Sequence, residues 1–64
     1  MEDEGFVDDD FIAETARGFV ARYGEPAAAM LRERARLAET AGAHFLAQAW
    51  RDMAAAADAM LAID

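Results

Sequence analysis

Two glycines and one proline divide the chain into three stretches that each have the periodicity of a helix. Within each stretch apolar residues recur every three or four positions, which places them on one side of an α-helix. Gly24 suits a left-handed position after a helix end, Gly42 marks the end of the second helical stretch, and Pro26 suits a first helical turn. The sequence therefore predicts an all-α fold, a small bundle of three helices over residues 8–23, 26–41 and 43–62. The second and third helices are expected to form an antiparallel hairpin about Gly42.

The apolar side of each helix predicts the core. We expect the first helix to bury Phe11, Ile12, Ala16, Phe19, Val20 and Tyr23, and the second to bury Ala27, Met30, Leu31, Leu37, Ala38 and Ala41. The third should bury Leu46, Ala49, Trp50, Met53, Ala57, Met60 and Leu61, with Phe45, Ala56 and Ile63 widening the stripe. This last stripe spans roughly 160° of the helix, wide enough to contact more than one neighbour.

The size and composition of the chain favour self-association. In 64 residues the free energy gained by burying apolar surface roughly balances the cost of ordering the chain. Half of the 36 apolar residues are alanine, which favours helix formation more than it fills a core, and no cysteine is present to add a disulfide. We therefore expect a homodimer to complete the bundle.

The negative charge is concentrated at the start of the sequence. Six acids and no base fall in the first ten residues, whereas the remainder carries seven acids and six arginines. Residues 1–7 are therefore predicted to be an acidic flexible tail, followed by a single helical domain over residues 8–64. Phe6 and Val7 interrupt the acids, and an acidic tail with an apolar anchor suits a basic, partly apolar protein partner. The expected partner-binding residues are Phe6, Val7, Asp8, Asp9 and Asp10.

Charge and hydropathy also limit the location and the partners. No stretch approaches the ~20 apolar residues of a membrane span, and the acidic start is unlike the basic beginning of a signal peptide. A cytoplasmic protein with no membrane contact is expected. Since the net charge of −7 repels phosphate, nucleic acid is not an expected partner.

The residue types argue against an enzyme. Serine, cysteine, lysine and asparagine are absent, and neither Thr15 nor Thr40 has a nearby base in the sequence. His44 is the only histidine, and its spacing from Glu39 and Asp52 matches no metal site. We expect it to be exposed on one face of the third helix with Gln48 and Arg51. No catalytic residue, metal or cofactor is predicted.

Arg34 is the residue that fits its surroundings least well. On a helical wheel it falls near the centre of the second helix's apolar side, where a charge is costly unless it is paired or stacked. The hairpin register places Trp50 opposite it, so that the guanidinium can stack on the indole, and Asp52 is a candidate counter-ion. Arg34 is thus either structural or directed at a ligand or partner, with Trp50, Tyr23 and His44 as further candidate binding residues.

The order and spacing of several residues resemble a known group of proteins. These residues are Gly24 after an aromatic residue, Ala27 and Ala28, Arg34-Ala35, Gly42, and Trp50 eight positions later. Over residues 13–61 the chain resembles short alphaproteobacterial, notably sphingomonad-type, proteins of unknown function. That group often has a histidine before the first glycine and an aspartate after the second, where this chain has Tyr23 and Ala43. The resemblance implies an all-helical hairpin, and because the members of that group are uncharacterised it assigns no activity.

Three functions remain open on these grounds. The favoured one is a non-enzymatic helical interaction or adaptor protein that self-associates or docks on a larger partner. The second is a small-molecule or effector-binding protein that uses Arg34 and Trp50. The third is an acidic inhibitor that mimics nucleic acid, which only the charge supports.

Overall fold

The computed structural model describes residues 9–63, and this part of the chain consists of three α-helices without a strand. The helices are α1 (Asp9–Tyr23), α2 (Ala27–Thr40) and α3 (His44–Ala62). The all-α, three-helix prediction is confirmed. The predicted second helix extends one residue too far at both ends, and the predicted third helix begins one residue too early. The predicted tail, residues 1–7, lies outside the described residues.

The end of α1 is closed by Gly24. Its backbone φ is 76°, in the left-handed region that favours glycine, and its N–H donates to the carbonyl of Val20 over 2.8 Å. This single bond is the simpler left-handed helix cap. Pro26 then occupies the N-cap of α2 instead of its first turn, and its carbonyl accepts a hydrogen bond from the N–H of Met30 over 2.9 Å. The turn from α1 to α2 is therefore short.

The end of α2 is closed by a Schellman motif at Gly42. The N–H of Gly42, whose φ is 83°, donates to Glu39 over 3.0 Å, and the N–H of Ala43 donates to Ala38 over 2.9 Å. These two bonds satisfy carbonyls that the helix itself leaves without partners. Ala43 is already the N-cap of α3, so α3 follows α2 almost at once.

Alanine supplies most of the core. Only two of the buried side chains among residues 9–63, Leu31 and Met53, are larger than a methyl group. The full set is Ala16, Ala27, Ala28, Leu31, Ala35, Ala47, Ala49, Met53, Ala54 and Ala57. Since alanine side chains let helix backbones approach closely, the helices pack tightly while burying little apolar volume.

Several large apolar side chains that the sequence places in the core are exposed instead. The exposed fractions are 60% for Leu37 and 51% for Leu46, and Phe11, Tyr23, Phe45 and Ile63 are also exposed. Leu46 lies on the buried side of α3, but the cluster that joins α1 to α3 starts one turn later, at Trp50. Leu46 is therefore beyond the reach of α1.

The buried side of α2 is rotated from its predicted position. It consists of Ala27, Ala28, Leu31 and Ala35, and its centre lies roughly 70° around the helix from the predicted centre. The rotation moves Arg34 from the centre of the buried side to its edge, where it is exposed. It moves Leu37 out of the core, because the small alanines take the positions of closest helix contact.

Candidate functional site

Three aromatic rings and two arginines form a continuous row across the bundle. The Arg22 guanidinium carbon lies 5.8 Å from the centroid of the Tyr23 ring, and the Tyr23 and Phe19 centroids are 5.6 Å apart. Phe19 in turn meets Trp50 at 6.4 Å in a T-shaped arrangement. The Arg34 guanidinium carbon lies 5.6 Å from the Phe19 centroid and 5.5 Å from the Trp50 centroid.

Each helix contributes to this row for a simple geometric reason. Phe19 and Tyr23 are four residues apart on α1, so their side chains share one side of that helix. Trp50 is half-buried on α3, and Arg34 extends from the edge of α2 over both rings. Because the faces of aromatic rings carry negative potential, they attract the guanidinium without neutralising its charge. The predicted contact between Arg34 and Trp50 is present, and Phe19 extends it.

Arg34 forms no ion pair with any residue from 9 to 63. The predicted counter-ion is wrong, because Asp52 accepts a hydrogen bond from the Gln48 amide over 2.9 Å. The neighbouring Glu33 is also engaged, since its carboxylate pairs with Arg36. Among residues 9–63, the positive charge of Arg34 is therefore exposed and is stabilised by the rings of Phe19 and Trp50.

Exposed leucines continue this surface on α2 and α3. A cavity of about 460 Å³ is lined by Glu33, Arg34, Leu37, Ala38 and Trp50. Leu46 lies one helical turn before Trp50, on the same side of α3. We call this surface the aromatic face, and it comprises Phe19, Arg22, Tyr23, Arg34, Leu37, Leu46 and Trp50.

A groove on α1 adjoins the aromatic face. It has a volume of about 380 Å³ and is lined by Glu14, Thr15, Gly18, Phe19, Arg22 and Tyr23. Gly18 supplies no side chain, and a Cβ placed there would meet no atom within 4 Å. The groove thus extends the aromatic face beside Arg22, which, like Arg34, pairs with no carboxylate in the described part of the chain.

His44 belongs to a different cluster. Its Nδ1 lies 2.9 Å from Oε2 of Glu39, and the other oxygen of that carboxylate is 3.5 Å from the Arg51 guanidinium. Arg51 also donates to the Gln48 side chain over 3.4 Å. The prediction that His44 is exposed beside Gln48 and Arg51 is confirmed, but His44 does not join the aromatic face.

The predicted binding residues therefore separate into groups. Arg34, Trp50 and Tyr23 come together through Phe19, which the sequence pattern places only in the core. The spacing of Phe19 and Tyr23 on one side of α1 is the signal that could have identified it. Asp9 and Asp10 lie exposed in the first turn of α1, whereas the other predicted partner-binding residues, Phe6, Val7 and Asp8, lie outside the described residues.

Two negative findings apply to residues 9–63. None of the three helices is long and apolar enough to cross a bilayer. No group of three or more histidine, aspartate or glutamate side chains is arranged to hold a metal ion.

Comparison with known proteins adds no relative. The chain matches no protein-family model, no curated protein and no solved structure. The resemblance to short alphaproteobacterial proteins therefore stays a prediction.

Proposed function

We propose that the protein is a non-enzymatic helical interaction protein that forms a homodimer through its aromatic face. The observation that supports this most strongly is the exposure of Leu37 and Leu46 beside the Arg34 and Trp50 stack. Tryptophan, tyrosine and arginine are the residues most enriched at the energetic centres of protein interfaces. A surface that combines these three residue types with exposed leucines is more favourably covered by a protein partner than left in contact with water.

The small core supports the same proposal. Leu31 is the only large side chain in residues 9–63 that is fully buried, and most other buried side chains are alanine. A second copy would cover the leucines and the outer edge of Trp50, adding the apolar burial that the single bundle lacks. A twofold arrangement is expected because most homodimers pair the same surface on both subunits.

The dimer would be built on an antiparallel α2–α3 hairpin that turns at Gly42. The two hydrogen bonds of the Schellman motif support this turn. Two contacts between the helices fit the same arrangement: Arg34 stacks on Trp50, and Arg32 pairs with Asp58 over 2.8 Å further from the turn. The hairpin presents Leu37 and Leu46 on one surface near its closed end.

Sedimentation equilibrium of glutamine variants tests the proposal. Leu37→Gln and Leu46→Gln remove apolar surface without changing the net charge, and both should shift the average mass from that of a dimer towards 6.9 kDa. Ile63→Gln is the matched control, because Ile63 is 78% exposed at the C-cap of α3 and away from the aromatic face. Equal masses for all three variants and the wild type would contradict docking through this face.

A second candidate function, binding of an anionic effector, is favoured by the cavity beside Arg34. Its volume of about 460 Å³ falls in the range of small-molecule sites, and Arg34 and Trp50 supply a cation and a ring at its wall. A thermal-shift titration with benzoate, an aromatic carboxylate, distinguishes this candidate. Saturable stabilisation that Arg34→Gln abolishes would favour effector binding, and the absence of a shift would remove it.

A further inference from the structure

We infer that the acidic N-terminal segment, residues 1–8, of a second copy of this chain docks on the aromatic face. This inference rests on the proposed function, because it names what the partner copy brings to the same surface. It starts from the chemistry of the face, which joins exposed apolar groups to two cations. Arg22 lies beside Tyr23 at one end of the row of rings, Arg34 lies over the Phe19 and Trp50 pair, and neither arginine pairs with a carboxylate from residues 9–63.

The other arginines on α2 and α3 do not offer such a surface. Arg32 pairs with Asp58, Arg36 with Glu33, and Arg51 with Glu39. Their charges are already balanced by carboxylates of the same bundle. A partner that carries acids and an apolar anchor can form both ionic and apolar contacts at the aromatic face, where two guanidiniums adjoin exposed rings and leucines.

The N-terminal segment has this chemistry in its sequence. Phe6 and Val7 form an apolar pair with acids on both sides, of which Glu4 and Asp8 are the nearest. The aromatic face has complementary chemistry, with a guanidinium beside Tyr23 and a second one over Phe19 and Trp50. Phe6 would pack against the exposed edges of Tyr23 and Trp50, and the flanking carboxylates would reach Arg22 and Arg34.

Chain length indicates that the docked segment comes from another copy. Phe19 lies ten residues after the start of α1 at Asp9, which is about 15 Å along a helix rising 1.5 Å per residue. Phe6 lies three residues before Asp9 and reaches at most about 11 Å when fully extended. Along the helix axis the Cα atom of Phe6 in the same chain therefore stops about 4 Å short of that of Phe19 and about 10 Å short of that of Tyr23, which disfavours docking along the whole row within one chain. The segment of a second copy is not restricted by this chain length. If each copy docks its segment on the other, the two copies form a twofold-symmetric dimer.

Electrostatics favours the same exchange. The acids of the first ten residues account for nearly all of the net charge of −7, so two copies that merely approach each other repel through these segments. Docking places the acids beside guanidiniums that have no other carboxylate among the described residues. Repulsion is thereby replaced by attraction, and the association should weaken as salt rises.

Photo-crosslinking of the full-length chain tests this inference. In ¹⁵N-labelled chains, Phe6 is replaced by the photoreactive residue benzoylphenylalanine. These chains are mixed with unlabelled wild type and irradiated, and the crosslinked peptides are mapped by mass spectrometry. We expect mixed-label crosslinks to peptides that contain Tyr23, Leu37 or Trp50. Their yield should fall about fivefold or more in Arg34→Gln chains or on raising salt to about 0.5 M. The same photoreactive group in place of Ile63 should give no crosslink to these peptides.

The outcomes separate the inference from the proposed function. If crosslinks from position 6 are confined to the same chain, or miss the aromatic face while wild type still sediments as a dimer, the inference is overturned and the homodimer stands. If a Phe6→Gln, Val7→Gln double variant keeps the dimer mass unchanged, the inference is likewise overturned. If wild type is a monomer and position 6 gives no crosslink between chains, both the inference and the proposed function fail.

Discussion

Arg34 of α2 stacks on the ring of Trp50 in α3, with 5.5 Å between the guanidinium carbon and the ring centroid. The same guanidinium lies 5.6 Å from the Phe19 centroid, so one exposed side chain bridges all three helices. An arginine held in this way combines a structural contact with an available charge. The relative weight of these two roles determines how substitutions at Arg34 and Trp50 should change the stability of the protein.

Arg34→Met should change stability little. Methionine retains much of the apolar stem and loses the cation–π attraction, which at an exposed position is worth about 0.5 to 1 kcal/mol. Urea unfolding followed by the fluorescence of Trp50, the only tryptophan, measures the change. A loss larger than about 2 kcal/mol would show that the charge of Arg34 is essential to the fold, in the manner of a broken buried ion pair.

Trp50→Ala should be far more damaging than any change at Arg34. The indole packs against the core cluster and meets the Phe19 ring edge to face, so its removal leaves a cavity between α1 and α3. We expect a loss of about 3 kcal/mol, seen by circular dichroism during urea unfolding, and Trp50→Phe should recover about half of it. Equal stability of Trp50→Ala and wild type would mean that the indole serves only an external partner.

Two leucines of α2 provide a matched pair that tests the rotated helix face. Leu31 is fully buried and Leu37 is 60% exposed, although the sequence pattern places both in the core. Leu31→Ala should cost about 2 to 5 kcal/mol, whereas Leu37→Ala should cost less than about 1 kcal/mol. Thermal melts of the two variants at one low protein concentration make the comparison. If Leu37→Ala lowered the stability more than Leu31→Ala, the result would support the orientation of α2 that was predicted from the sequence.

Two glycines provide a second matched pair. Gly18 lies within α1 and has open space around it, so Gly18→Ala should stabilise the protein by about 0.5 to 1 kcal/mol. Gly24 has a φ of 76°, so Gly24→Ala should destabilise it by about 1 kcal/mol or more. Melting temperatures that rise for the first variant and fall for the second would agree with both backbone conformations. A stabilising Gly24→Ala would contradict the helix cap.

The sequence was sufficient to predict the elements of the fold. The positions of Gly24 and Gly42 located two helix ends because a left-handed residue and the carbonyls before it form local caps. The contact of Arg34 with Trp50, which the sequence predicted from an antiparallel hairpin about Gly42, is present. These features depend on interactions between residues close in sequence or near one turn.

The packing of alanine was harder to predict. Alanine occurs on every side of the helices, so periodicity weighted by large residues placed Leu37 in the core and left out Ala35. The tertiary contacts instead select the side with the smallest residues, where helix backbones can approach most closely. The central place of Phe19 depends on how α1 crosses α3, which the sequence pattern does not specify.

An isotope-filtered nuclear Overhauser measurement tests the central claim most directly. In an equimolar mixture of ¹³C-labelled and unlabelled full-length chains, only contacts between copies appear in the filtered spectrum. We predict contacts from the ring protons of Trp50 to a second copy, with the methyl groups of Leu37 and Leu46 also at the interface. A filtered spectrum without contacts to Trp50 or either leucine, recorded on a sample that sediments as a dimer, would contradict docking through the aromatic face.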